Sequence, residues 1–218
     1  MGRYNRQRSN KKSKKKENKK IFIFAEGEKT EKIYFERFNY EVSRKLKRAG
    51  VITVHGLGCN TLSLVKKAIY LIEKEDFNYK IDEKWVVFDK DDFKSDQFDN
   101  AISKAEQNGF KVGWSNECFE LWYLLHFEKF NNNCDSRKEY YQKLTQHLKT
   151  QCPDSKIHNY EKDGKSIDLY EFLKPFQNKA IKNAKWLEGQ SNPPYTPSKT
   201  KPYSTVFKLV TSIKSIKR

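Results

Sequence analysis

The chain has 218 residues and a net charge of +16, with 33% charged and 36% hydrophobic residues. That length holds one generous domain, or a core with a small appendage. No run approaches the roughly 20 apolar residues of a membrane helix, so a spanning protein is excluded and the chain reads as cytoplasmic.

Residues 1–20, "MGRYNRQRSNKKSKKKENKK", hold ten Lys/Arg against one acid, Glu17. Such an arm cannot bury enough apolar surface to fold, and residues 1–19 read as disordered. Its Lys11, Lys12, Lys14, Lys15 and Lys16 are candidates for neutralising nucleic-acid phosphates; a solubilising tail is the plainer alternative. The other 198 residues are basic too, at +7. The apolar "IFIFA" after the arm is too short for a signal-peptide core. Cys59, Cys118, Cys134 and Cys152 show no C-x-x-C pair and no finger-spaced His, which argues against a zinc module and for reduced thiols.

In chain order, "KKIFIFAEGEK" predicts a strand ending in an acid-glycine turn. "TEKIYFERFNYEVSRKLKRAG" predicts a helix, with Ile33, Tyr34, Phe38, Val42 and Leu46 near one face and Gly50 as its stop. "VITVHGLG" reads as a strand and glycine turn, and "NTLSLVKKAIYLIEKEDF" as a helix capped by Asn60 or Thr61. The strand "KWVVF" follows, then the helix "SDQFDNAISKAEQNG" ending at Gly109, and the strand "FKVGWS". Strands alternating with helices imply βαβ units and a mostly parallel sheet. Beyond it, "NECFELWYLLHF", "DSRKEYYQKLTQHLKTQ", "SIDLYEFLKPFQNKAIKNAKWLEG" and "YSTVFKLVTSIKSI" all have helical period, and "SNPPYTPSKTKPY" is a proline-punctuated linker. The expected architecture is an α/β core over residues 20–127 with a helical extension over 128–218.

In open parallel sheets, functional groups gather beyond the carboxyl ends of the strands. There lie Glu26 and Gly27 after the first strand, Asp89 and Asp91 after the third, and Ser115 and Asn116 after the fourth. In a still-extended backbone, residues two apart point to one side. Two carboxylates so placed repel unless one is protonated or a cation lies between them. Hard oxygen ligands suit Mg²⁺ or Mn²⁺, and Glu73 to Asp99 hold ten acids against five lysines. The bland alternative is a solvated turn after a strand.

Strand–EG–helix followed by strand–DxD resembles the Toprim domain of topoisomerases, primases, ribosomal-RNA maturases and related nucleases. "AEGEKTEKIYFERF", "VVFDKDDF", "SNECFELWYLLHF" and "YSTVFKLV" are similar, in that order, to the RloB-like family of Toprim proteins from bacterial phage-defence loci. The long basic arm and the lysine-rich "PSKTKP" depart from that pattern. The resemblance implies a Toprim-like fold and metal-dependent phosphodiester chemistry, with one or two Mg²⁺ or Mn²⁺ ions. It places Glu26 as the Toprim glutamate and Asp89 and Asp91 as the DxD pair; Glu31, early in the first helix, and Glu120, one turn into the helix after the fourth strand, are further metal-ligand candidates or else surface or cap glutamates. Glu26 is either a ligand or a general acid/base. Phage defence, an ATPase partner, and RNA (transfer RNA) over DNA as substrate are also implied by resemblance alone.

Other signals are weaker. "EGEKTEK" lacks P-loop spacing, "GLGCNT" is an anion site or simply a tight connection, and His126 reads as a core residue. Lys179, Lys182 and Lys185 share a helix face that either lines a backbone groove or is solvated. The alternative of another class is a basic nucleic-acid-binding subunit without catalysis.

Overall fold

The structure, a computed structural model, describes residues 19–132, 134, 136–151, 159–160, 169–191 and 196–216. The basic arm with Lys11, Lys12, Lys14, Lys15 and Lys16, as well as Cys152, lies outside the described residues.

The strands are β1 (Ile21–Ala25), β2 (Ile52–Gly56), β3 (Glu83–Asp89), β4 (Lys111–Asn116) and β5 (Tyr203–Ser204). They form one sheet in the order β2-β1-β3-β4-β5. The first four are parallel, and β5 runs antiparallel to the end of β4. Period-two alternation sorts the side chains between two layers. Ile21, Ile23, Ala25, Trp85 and Val87 face one side, whereas Phe22, Phe24, Val86 and Phe88 face the other. Burial on both sides explains why β1 and β3 read as continuous apolar runs.

Helices α1 (Thr30–Leu46), α2 (Thr61–Ile72) and α3 (Ser95–Gln107) make the βαβ crossovers. The α2 and α3 helices cover the Phe22 face, and α1 covers the Ile21 face. Asn60 is the N-cap of α2, its side chain accepting the Ser63 N–H at 3.0 Å. The α1 helix stops at Leu46, before Gly50, because Lys47 takes a left-handed conformation with φ of 51°.

The second half is α4 (Glu120–Leu124), α5 (Arg137–Gln151), α6 (Leu169–Leu173), α7 (Gln177–Glu188) and α8 (Val206–Lys214). Three expectations change here. The "NECFELWYLLHF" segment is helical only over α4, with turns after it. The "SIDLYEFLKPF…" helix breaks into α6 and α7 with a 3₁₀ turn, Lys174–Phe176, between them. Pro175 lies in that turn, where a missing N–H and a fixed φ disfavour an unbroken α-helix. The "YSTVF" stretch begins as β5 rather than helix. Thr205, buried, donates to the Val112 carbonyl at 3.0 Å and accepts the Trp114 N–H at 2.8 Å. The C-terminal segment therefore completes the sheet, and Val206, Leu209 and Val210 of α8 share one core with Ile21 and Trp85. Among the described residues no helix is long and apolar enough to cross a membrane.

Candidate metal and phosphate site

The carboxyl ends of β1, β3 and β4 bring the predicted acids to one edge. Glu26 continues the β1 ladder, its N–H donating to the Val87 carbonyl at 2.9 Å, and its side chain reaches across to accept the Asp89 N–H at 3.3 Å. The first acid is thus tied to the strand that carries the second. Gly27 has a steric reason: a Cβ there would lie 2.0 Å from Glu31 Oε2. Any larger residue would push the buried Glu31 away, so the Glu-Gly pair and Glu31 form one packing unit.

Asp89 ends β3 and is 7% exposed. Its Oδ2 accepts the Phe119 N–H at 3.0 Å, whereas its Oδ1 is buried with no hydrogen-bond donor. Burial pushes the Asp89 carboxyl well up, and the Glu31, Glu120 and Glu26 carboxylates push the same way; Arg137 opposes them without cancelling them. Glu120, 1% exposed at the start of α4, accepts the Tyr160 hydroxyl at 2.9 Å. Glu26, Glu31, Asp89 and Glu120 therefore share one electrostatic neighbourhood.

Asp91 joins them by another route. The extended-strand argument fails, because β3 ends at Asp89 and Asp91 has a φ of 40°. That left-handed turn is disfavoured for a non-glycine residue. The Asp91 N–H donates to the Glu117 carbonyl at 3.0 Å, and its carboxylate pairs with Arg137 Nη2 at 2.8 Å. The same nitrogen lies 3.9 Å from Asp89 Oδ2. Arg137 is thus the cation between the two aspartates. Burial alone would lower its guanidinium, and Asp89 and Asp91 raise it instead, so it stays charged.

Sequence reasoning did not single out Arg137, which is one of 44 Lys and Arg residues. No local signal marks it: its helix opens with "SRKE", where Glu139 in the first turn already offsets the two cations.

Ser115 and Asn116 turn elsewhere. Ser115 Oγ meets Ser204 Oγ at 3.1 Å, and the Asn116 side chain donates to the Pro197 and Ser198 carbonyls at 3.2 and 3.0 Å. Asn116 thereby holds the "PSKTKP" strap, which Asp99 also grips through the Ser198 N–H and hydroxyl at 2.9 and 2.6 Å. The strap brings Lys201 to Glu117 at 2.7 Å, next to the Asp91 turn. The glycines of "GLGCNT" serve packing. A Cβ on Gly56 would lie 2.9 Å from the Gly27 carbonyl, and one on Gly58 would lie 2.5 Å from Glu28 Oε1. His126 is a buried core residue whose Nδ1 meets the Trp122 carbonyl at 2.9 Å, and burial brings its pKa down to about 3. Lys179, Lys182 and Lys185 are all exposed on α7.

The donor chemistry fits a hard divalent cation: carboxylate oxygens crowded in a buried space, one of them lacking any donor. Among the described residues, no three His, Cys, Asp or Glu side chains are arranged to hold a metal ion as they stand. Arg137 occupies part of that role.

The family model for RloB-like protein matches residues 21–213. The chain belongs to the RloB-like family. The match runs from β1 into α8, so it takes in every element that builds the acid edge and the β5–α8 return. No match is found among curated proteins or among solved structures.

Proposed function

We propose that this RloB-like protein is a Mg²⁺- or Mn²⁺-dependent nuclease of Toprim type. It hydrolyses phosphodiester bonds in nucleic acid, RNA (transfer RNA) in preference to DNA, as a cytoplasmic effector of phage defence working with a separate ATPase. The observation that carries the reading is the buried Asp89 carboxyl, with one oxygen undonated, set among Glu26, Glu31 and Glu120 in a chain of net charge +16. Buried like charges are costly without a compensating cation. A basic protein has no other evident use for such a cluster beside its polyanionic ligand.

Glu26, Asp89 and Asp91 would hold the ion, backed by Glu31 and Glu120. A divalent cation there supplies positive charge to a phosphoryl oxygen and acidifies water. Glu26 either binds the ion or moves the proton. Its bond to the Asp89 N–H fixes its position in both cases. Lysines of the arm and of α7 hold the nucleic-acid backbone. The defence role, the ATPase and the RNA preference rest on the family resemblance.

A non-catalytic nucleic-acid-binding subunit is the second reading, favoured by the Arg137–Asp91 pair, in which an arginine already neutralises one of the aspartates. Total tRNA and plasmid incubated with Mn²⁺ or EDTA separate the two. Metal-dependent cutting lost in the Asp89→Ala/Asp91→Ala double variant supports the nuclease. Equal binding of nucleic acid with Mn²⁺ and with EDTA, and no cutting, supports the binder.

A further inference from the structure

We infer that Arg137 is the residue that binds the phosphate of the nucleic-acid substrate, and that the ion pair with Asp91 is its substrate-free resting position. This rests on the carboxylate edge being a cation site, and it names the group that the edge presents to the anion.

Two buried polar atoms of opposite kind lie at this edge without hydrogen-bond partners: Asp89 Oδ1, an acceptor, and Arg137 Nε–H, a donor. They belong to side chains whose Oδ2 and Nη2 are 3.9 Å apart. Leaving buried donors and acceptors unmade costs about 1–3 kcal/mol each. Yet the two do not satisfy one another, since the guanidinium turns its Nη2 to Asp91. One type of ligand completes both atoms: a divalent cation on the carboxyl, carrying a phosphate oxygen that accepts from the guanidinium. The planar fork of an arginine matches two phosphate oxygens at once, which an ammonium does not.

The position of Arg137 argues the same way. It is the first residue of the 15-residue α5, followed by Lys138. The same turn carries one acid, Glu139, against the two cations, and a further anion at the positive end of the helix dipole is favourable by about 0.3–1 kcal/mol. The Arg137 side chain is 23% exposed and that of Asp91 36%, so the pair lies at the mouth of the site. Asp89, Glu31 and Glu120 lie deeper. Displacing Asp91 from the guanidinium would place phosphate at the mouth and free that carboxylate for the cation.

The test uses the full chain, with Mn²⁺ alone and then Mn²⁺ with inorganic phosphate. Saturable broadening of the phosphate ³¹P line by bound Mn²⁺ reads the phosphate site, and calorimetry reads Mn²⁺. Arg137→Gln should hold Mn²⁺ as tightly as the wild type or more so, because a competing cation is gone. Its phosphate affinity should fall at least tenfold, and Arg137→Lys should recover part of it. Circular dichroism checks that both variants fold, and Arg137→Lys alone decides if Arg137→Gln does not: its phosphate affinity should then be several-fold weaker at unchanged Mn²⁺ affinity. Wild-type phosphate affinity in a folded variant, with Mn²⁺ bound, would reduce Arg137 to a clamp on the Asp91 turn and overturn the inference alone. No Mn²⁺ binding by the wild type would remove the cation site itself, and the inference with it.

Discussion

Glu83, at the opposite end of β3 from the acid edge, offers a quantitative test of how the sheet is anchored. Its carboxylate accepts from Lys19 at 2.6 Å, Lys111 at 2.9 Å, the Ser212 hydroxyl at 2.6 Å and Trp85 Nε1 at 2.9 Å. These contacts join the start of β1, the start of β4 and α8 to β3. Burial pushes the Glu83 carboxyl up; the hydrogen bonds from Lys19, Ser212, Lys111 and Trp85 override it and bring the group down to about 2. Against an unfolded value of about 4.3, at about 1.4 kcal/mol per pH decade, that is worth about 3 kcal/mol. The Lys111 side chain is 54% exposed, and solvent screening reduces the expectation to about 2 kcal/mol. A carboxyl depressed in the folded state stabilises fully above its unfolded pKa and loses that contribution as pH falls through its folded one. The window therefore runs from about pH 4.3 down to about pH 2. Urea denaturation of wild type and Glu83→Gln should show a loss of about 2 kcal/mol at pH 7, shrinking to about half by pH 3. The same difference at both pH values would refute the reasoning.

Three further substitutions test other links. Gly27→Ala places a methyl 2.0 Å from Glu31 Oε2; overpacking of this kind costs about 1–3 kcal/mol, and the metal-dependent cleavage proposed above should fall at least tenfold. A melt giving the wild-type Tm would show that the turn has room to spare. Asp89→Asn keeps an acceptor for the Phe119 N–H and removes a carboxylate crowded by Glu31, Glu120 and Glu26. In EDTA it should be more stable by about 1 kcal/mol, and it should be inactive with metal; a destabilised variant would argue against electrostatic strain at that site. Thr205→Val leaves the Trp114 N–H without its side-chain acceptor and should cost about 1–3 kcal/mol in chemical denaturation. A neutral result would mean that backbone pairing and apolar packing hold β5 and α8 to β4 without help from this side chain.

The parallel sheet was legible because β1 and β3 are buried on both faces and write uninterrupted apolar runs, with helix-length links between them. The acids were legible because a carboxylate directly after such a run breaks the pattern sharply, as Asp89 does after Phe88. The route of Asp91 was not legible: strand alternation is the reading that its spacing suggests, whereas a left-handed turn and an arginine bring it to the edge. Arg137 and the β5 return were not legible. Arg137 reaches Asp89 and Asp91 across 48 and 46 positions, and nothing local marks one arginine among so many cations. Tyr203–Ser204 is too short to carry a period, and its strand conformation comes from pairing with Ser115 and Asn116.

The central claim is that the carboxyl ends of β1 and β3 form a cation site. Crystals grown with Mn²⁺ test it through the anomalous difference map. The account places a peak within coordination distance of Asp89 Oδ1, in contact with Glu26 or Asp91, and absent in Asp89→Asn crystals. A fully occupied Mn²⁺ peak elsewhere, or none at this edge at millimolar Mn²⁺, would contradict it.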